Sequence, residues 1–416
     1  MAKQQRIVDV HERLPLGQSL PLSLQHLFAM FGATVLVPFL TGLNPSVALL
    51  TSGIGTLIYI ILTKGKIPGY LGSSFAFIGP IIAVSKSQGV GAALFGCLLS
   101  GLVYVLVAVL VRYAGTRWID RLLPPVVVGS IVIVIGLGLA GTAVDMASKD
   151  WGVASVALLI AIIASAFFRG FLGVIPILLG IIGGYVFALV QGLVDFAGVG
   201  SAAWFAAPAF TMPTVSWTAA IVIAPVALVT IAEHIGHLMV TENIVGRNLM
   251  KDPGLHRSML GDGVATGIAA LLGGPPSTTY GENIGVMAIT RVYSVWVIGG
   301  AAVFAILFSF IGKFSALISS IPVPVMGGIS LLLFGIIASA GLRMLVESGI
   351  NYNHKRNLII SSVILVLGVG GAKIHIGDLQ IEGMALATFA GILLNLVLPR
   401  GLNEEPVEVK SGSVLH

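Results

Sequence analysis

The sequence is poor in charge. Of 416 residues only 9% are Asp, Glu, Lys or Arg, while 56% are hydrophobic; soluble domains carry about 25% charged residues. A soluble fold of that composition would lack the polar residues to cover its surface. Lipid is therefore the expected solvent along most of the chain. Cysteine is nearly absent, and the single Cys97 excludes an internal disulfide and a four-cysteine metal centre. No basic cluster is interleaved with aromatics, so the net charge of +5 is not a nucleic-acid signal and no nucleic-acid partner is expected. The polar start, MAKQQRIVDVHERLPLGQS, runs into a full-length apolar stretch without a small-residue cleavage site, which predicts an uncleaved first span.

What the chain has is apolar runs and glycine, 53 residues of it, which suits close packing of membrane helices. A span needs about 20 apolar residues. Such stretches lie near 19–42, 46–63, 89–111, 122–143, 151–168, 171–194, 217–244, 258–273, 293–312, 322–343, 357–373 and 382–399. Two more, near 67–85 and 276–290, are apolar but broken by glycine, proline and serine. Together they predict fourteen crossings. With the N-terminus in the cytoplasm and crossings alternating, most Lys and Arg residues face inward. Only Lys86, Lys149, Lys313 and Lys373 of the 22 face outward, and the loop 195–216 on that side carries neither residue type. This asymmetry supports the orientation, with both termini cytoplasmic, and the parity.

The segment from Pro125, PVVVGSIVIVIG, resembles the one from Pro324, PVMGGISLLLFG. These would be the fifth and twelfth crossings, seven apart, and an odd number per half makes the halves inverted. Inverted halves with a broken segment at matching places, here the third and tenth, are the pattern of a secondary transporter with its binding site at the breaks.

Ionisable or polar groups within such spans are functional candidates by default. In IAEHIGHLMV, Glu233 and His237 are four apart and share a helix face, where carboxylate and imidazole can converge on a ligand and exchange a proton; His234 sits on a different face. A structural polar pair is the plainer alternative, disfavoured because two titratable groups at one depth are costly. In TTYGENIGVMAITR, Gly281 and Gly285 bracket Glu282 and Asn283, and glycine frees backbone N–H and C=O groups for a flat ring. In GSSFAFIGP, Ser73, Ser74 and the backbone of Phe75 lie beside two aromatic rings that can stack on a planar base, although aromatics in apolar segments are more often packing. Gln25 and His26 fall in the first crossing, where a lone histidine is more often a satisfied structural partner. The string Glu-His-x-x-His at 233–237 departs from zinc-protease order and lacks a third ligand, so an intramembrane metalloenzyme using Glu233, His234 and His237 is a distant alternative. No metal, cofactor or enzymatic activity is expected.

At these residues the chain resembles the nucleobase–ascorbate transporter family, and within it the bacterial carriers of uracil. The family signature, an acidic or amide residue followed by Asn-x-Gly-x-x-x-x-Thr-Arg, reads Glu282, Asn283, Gly285, Thr290 and Arg291 here. The stretches 23–38, 65–77, 232–237 and 278–294 are also similar to those carriers. The resemblance implies an all-α polytopic membrane fold of fourteen segments, two inverted repeats of seven, with short strands in segments 3 and 10. It implies a cytoplasmic N-terminal tail (1–18), a core domain (19–114 with 217–314), a gate domain (115–210 with 315–400) and a cytoplasmic C-terminal tail (401–416). It further implies proton-coupled import of uracil by alternating access across the bacterial inner membrane, and a homodimer; xanthine, urate or another nucleobase is the alternative cargo. Carried over, Glu233 and Glu282 hold the ring nitrogens, and the backbone of Phe75 and Gly281 meets the other ring polar atoms, with Tyr280 nearby. His237 partners Glu233 in proton coupling and His26 supports the site. Phe334 stands where the resemblance leads one to expect tyrosine, and Ser330, one turn earlier, is the substitute hydroxyl. An inorganic-anion carrier should place a positive residue at the midplane, and none is seen because Arg291 lies at a segment end.

Overall fold

A computed structural model describes residues 6–376 and 379–399. Lys3, Arg400, Lys410 and the expected tail 401–416 lie outside the described residues. The protein is mostly helical. Among the described residues six helical stretches are long and apolar enough to cross a membrane: Leu16–Thr41, Pro45–Leu62, Val90–Ala114, Pro125–Ala147, Trp217–Val245 and Val323–Glu347, of which Pro125–Ala147 and Trp217–Val245 are each built from two consecutive helices. Four shorter apolar helices accompany them, Trp151–Phe167, Pro176–Val190, Val295–Ser309 and Gly383–Val397. The helix Pro45–Leu62 shows how sequence sets a boundary. Asn44 Oδ1 accepts from the amides of Ser46 (2.9 Å) and Val47 (3.2 Å), and Pro45 fills the first position, where no N–H is needed.

The helices pack in two groups. Leu255–Leu272 lies on Val90–Ala114 and Pro45–Leu62, and Val295–Ser309 lies on Pro45–Leu62 and Leu16–Thr41. In the second group Val323–Glu347 packs on Pro125–Gly138, Ala140–Ala147 and Trp151–Phe167, while Lys355–Val369 packs on Pro125–Gly138 and Gly383–Val397. Small residues make the crossings. A side chain on Gly101 would begin 2.7 Å from Gly267 N and 2.8 Å from Gly263 O, so the backbones there all but touch.

The two broken stretches leave the helical pattern in the same way. Leu71–Ser73 (β1) precedes a single 3-10 turn, Phe75–Phe77, and the short helix Ile78–Gln88; Ser277–Thr279 (β2) precedes the short helix Gly281–Thr290. Away from water, non-helical backbone has to find partners in protein. The strands supply them to each other, antiparallel, with Leu71 opposite Thr279, Gly72 opposite Thr278 and Ser73 opposite Ser277. Both strands are buried along their length.

Three features differ from what the sequence led one to expect. The first helix begins at Leu16, and residues 6–15 of the expected tail are laid along the protein. Val8 exchanges backbone bonds with Arg291 and Tyr293 (3.0 and 2.9 Å), Val295 N donates to Val10 O (3.0 Å), and Asp9 pairs with Arg247 at 2.5 Å. The alternation of Val8 and Val10, both buried, with Asp9 and His11 is a strand period overlooked among polar neighbours. Second, Lys373–Ile376 (β3) pairs with Leu379–Glu382 (β4), where only a loop was anticipated. Third, the expected span 217–244 is interrupted: Trp217–Ile223 ends at Ala224–Pro225 and Val226–Val245 follows.

Candidate functional site

The strand crossing points two short helices at one place. Phe75 and Ile78–Gln88 leave β1, Gly281–Thr290 leaves β2, and Val226–Val245 contacts β2, the Phe75 turn and Gly281–Thr290. Glu233, His237, Phe75 and Glu282 are half-buried there, and Gly281 is exposed, so the junction is reachable. Glu233 and Glu282 come from different helices and feel each other's charge. His237 Nε2 lies 3.5 Å from the point where a side chain on Gly281 would begin, and His237 Nδ1 is 3.4 Å from Thr279 Oγ1 on β2. The structure thus brings together Glu233, His237, Gly281 and Glu282, with Phe75 across the junction.

The other candidates take supporting places. Tyr280 is buried behind the strands: its hydroxyl donates to Ser73 O (2.8 Å), receives Thr34 Oγ1 (3.3 Å), and its ring packs over Gly72. A side chain on Gly72 would collide with that ring, so glycine is required by the close approach. Asn283 is fully buried and donates from Nδ2 to His26 O (3.0 Å) and to His26 Nδ1 (3.1 Å). His26 therefore anchors the signature helix to Leu16–Thr41. Thr290 Oγ1 donates to Val286 O (2.8 Å) and accepts from Val292 N (3.3 Å), and Arg291 adopts left-handed backbone (φ 56°), so these two end the helix. Gly285 has no neighbour within 4 Å of a would-be side chain. Ser330 is wholly buried and gives its proton to Met326 O (2.7 Å) in its own helix. Phe334 belongs to a hydrophobic cluster that also holds Tyr280 and Met326.

Sequence reasoning missed a second group behind the first. His234, fully buried, lies with Nδ1 2.8 Å from Asp262 Oδ2 and 3.3 Å from Thr279 Oγ1, and with Nε2 2.7 Å from Ser258 Oγ. Ser258 Oγ is 2.7 Å from the Tyr59 hydroxyl. Asp262, in Leu255–Leu272, is also fully buried. The signal was present: a carboxylate inside the apolar stretch 258–273 meets the same rule that singled out Glu233.

The sequence model of the Permease family matches residues 17–377. The chain is 59% identical over 404 residues to the uracil permease of Bacillus subtilis, covering 92% of this chain and 93% of that protein. It is 58% identical over 409 residues to the uracil permease of Bacillus caldolyticus, covering 94% and 95%. The uracil permease of Escherichia coli is 53% identical over 403 residues, covering 94% of each. Among solved structures, the transmembrane domain of a cyanobacterial bicarbonate transporter, BicA, superposes with TM-score 0.62 at 11% identity over 93% of this chain and 100% of that one. Murine Solute Carrier 26 family member A9, an anion transporter in its inward-facing state, gives TM-score 0.71 at 9% identity over 92% and 69%. At such identities these structures show a shared membrane-transporter fold and nothing of the cargo.

Proposed function

The chain belongs to the nucleobase–ascorbate transporter family, and from that premise we propose that it imports uracil together with a proton across the bacterial cytoplasmic membrane. The observation that carries this reading is the packing of Val226–Val245, which bears Glu233 and His237, against Gly281–Thr290, which bears Glu282, with His237 Nε2 3.5 Å from where a side chain on Gly281 would begin and both carboxylates half-buried. Two carboxylates so placed repel unless something positive or N–H-bearing comes between them. A pyrimidine ring with two N–H groups meets that need on opposite edges, and one transported proton relieves the remaining repulsion. The amides at the starts of Gly281–Thr290 and of the Phe75 turn carry the partial positive charge of helix N-termini and suit the ring carbonyls. Phe75 offers a face for stacking.

In this reading the fourteen apolar segments form two inverted sevens, with both termini cytoplasmic. The group built around Leu16–Thr41, Pro45–Leu62, Val90–Ala114 and Leu255–Leu272 is the core that carries the base. The group around Pro125–Gly138 and Val323–Glu347 is the gate against which it moves. Protonation of the coupled Glu233/His237 pair prepares the site outside, and core movement releases base and proton inside. A homodimer through the gate helices completes the proposal. The relatives named uracil permeases favour uracil over xanthine or urate as cargo.

The test is uptake of labelled uracil into proteoliposomes under an imposed pH gradient, competed with xanthine, thymine and urate. Wild-type protein accumulates uracil only with the outside acid, and Glu233→Gln and Glu282→Gln lose accumulation. Normal uptake with unchanged pH dependence in both variants overturns the assignment.

A further inference from the structure

Behind the candidate site runs an unbroken series of polar contacts. From the interior outward it passes from Tyr59 OH to Ser258 Oγ (2.7 Å), to His234 Nε2 (2.7 Å), then from His234 Nδ1 to Asp262 Oδ2 (2.8 Å) and to Thr279 Oγ1 (3.3 Å). It ends with Thr279 Oγ1 to His237 Nδ1 at 3.4 Å. Tyr59, His234, Ser258 and Asp262 are wholly buried, and Thr279 is nearly so. Buried polar groups have to be satisfied, and each hydroxyl has a single hydrogen to give.

With neutral histidines, one ordering of the bonds gives every hydroxyl hydrogen an acceptor. The Tyr59 hydroxyl has only Ser258 as a hydrogen-bond partner among the described residues, so Tyr59 donates and Ser258 accepts. Ser258 then spends its own hydrogen on His234 Nε2, which has to be the bare nitrogen. The ring hydrogen of a neutral His234 therefore sits on Nδ1, hydrogen-bonded to Thr279 Oγ1 (3.3 Å) and close to Asp262 Oδ2 (2.8 Å), a carboxylate whose oxygens have no hydrogen-bond partner of good geometry among the described residues. With a hydrogen on His234 Nδ1, Thr279 cannot donate there. Its hydrogen goes to the remaining acceptor, His237 Nδ1. His237 is then left with its own hydrogen on Nε2, the nitrogen that faces Gly281 at the reachable junction. The reverse arrangement, with the hydrogen on Asp262 and a donating His234 Nε2, makes Ser258 Oγ accept from both Tyr59 and His234 and leaves the Ser258 hydrogen without an acceptor among the described residues.

We infer that Asp262, acting through His234 and the Thr279 hydroxyl, holds His237 in the tautomer that presents Nε2–H to the site. Asp262, His234 and Thr279 are positioning residues, and the inference rests on the transport reading only for its consequence. Presented this way, neutral His237 is a hydrogen-bond donor toward Glu233, Glu282 or an incoming ring carbonyl. A proton arriving at His237 lands on Nδ1 and forces the bond with Thr279 Oγ1 to reverse, the hydroxyl becoming the acceptor. A strand residue and a carboxylate away from the open junction thereby bear on where His237 carries its hydrogen. Of the titratable groups around the junction, His234 on the same helix acts directly on His237; Glu233, also on that helix, feels Glu282 from Gly281–Thr290 and Asp262 from Leu255–Leu272, and the Tyr59 and Tyr104 hydroxyls behind feel Asp262.

Two measurements decide it. The first is nitrogen NMR of the full-length protein in lipid with 15N-labelled histidine, His237 being identified by comparison with His237→Gln. Wild type and Thr279→Ser should show the proton on Nε2, and Thr279→Val, which keeps the shape but loses the hydroxyl, should show mixed or reversed protonation. The second is the pH profile of uracil uptake. Thr279→Val and Asp262→Asn should move its midpoint by about one unit and lower neutral-pH uptake about tenfold, the effect of one buried hydrogen bond, while Thr279→Ser stays near wild type. A wild-type His237 protonated on Nδ1, or a Thr279→Val protein with unchanged tautomer and a profile lowered equally at every pH, overturns the inference. Failure of uracil uptake in wild-type protein would instead sink the transport reading, and the NMR result would still judge the tautomer.

Discussion

Replacing Gly72 by alanine loads the strand crossing at its tightest point. Gly72 is paired with Thr278 in the β1–β2 register, so its Cα has little room to slide. An added methyl would drive into the Tyr280 ring and sit 2.9 Å from Thr34 Oγ1. Tyr280 would have to yield, giving up its bonds to Ser73 O at 2.8 Å and to Thr34 Oγ1 at 3.3 Å. Each bond is worth about 1 kcal/mol net, and overpacking a filled interior costs about 1–3 kcal/mol. The sum is about 3–5 kcal/mol. Gly79→Ala is the matched control. No atom lies within 4 Å of its would-be side chain, and it sits in the helix Ile78–Gln88, where alanine is favoured over glycine by about 0.5–1 kcal/mol. The assay is thermal unfolding in detergent, read by a thiol-reactive dye, because the one cysteine, Cys97, is buried until the fold opens. Gly72→Ala should melt about 5 °C or more below wild type and lose stabilisation by uracil, while Gly79→Ala melts at or above wild type. Equal melting and an equal uracil response for Gly72→Ala would refute the view that Tyr280 locks the crossing.

Asn283→Ala strips both hydrogen bonds to His26 and leaves the buried His26 Nδ1 without a donor, while His26 O keeps its helical bond; it should cost about 1–3 kcal/mol in the same melt and abolish uracil-dependent stabilisation. Gly101→Val should wedge Val90–Ala114 away from Leu255–Leu272, where Gly263 O and Gly267 N leave no space, and reduce protein recovered from membranes; Gly141→Ala, with nothing within 4 Å, should not. At the exposed Lys66–Asp252 pair, hydrogen bonding from Lys66 holds the Asp252 carboxyl below the usual carboxylate range. A depressed folded-state value stabilises above the unfolded value near about pH 4 and is lost as pH falls through the folded one. Melting curves of wild type and Asp252→Asn measured against pH should therefore differ most at neutral pH and converge in acid, and high salt should shrink the gap.

Helices were the legible part of this fold, because a lipid solvent makes apolar length the dominant signal. The helix Pro45–Leu62 could be bounded from Asn44-Pro45 alone, since cap and proline act within one turn. The helix breaks were legible too: the glycines, prolines and serines in 67–85 and 276–290 mark where the structure places β1 and β2. That these strands pair with each other, some 200 residues apart, is a tertiary fact without local trace. The β3–β4 pairing and the bond of Val8 to Arg291 escaped because a few alternating residues beside a charged stretch read as tail or loop until a partner strand is known.

The site was legible where periodicity could act and illegible where depth decided. Spacing alone placed Glu233 and His237 on one helix face, and both lie in Val226–Val245; Gly281 and Gly285 were expected to free the backbone around Glu282 and Asn283, but the structure has both residues in the helix Gly281–Thr290, the extended backbone ending at Tyr280 before it. The same periodic reasoning set His234 aside because it points elsewhere. In a soluble helix that inference is sound, since the other face meets water. In a packed membrane bundle every face meets something, and a histidine turned from one partner has to have found another. Here the partner is Asp262, a carboxylate between Gly261, which lets Leu255–Leu272 close on Tyr59 of Pro45–Leu62, and Gly263, which lets it close on Val90–Ala114, so that Asp262 is sealed from solvent. Sealing is what gives the pair its leverage, because polar groups at that depth have only one another as partners. Thr279, a strand residue with no chemistry of its own, thus connects a buried acid to the histidine at the open junction.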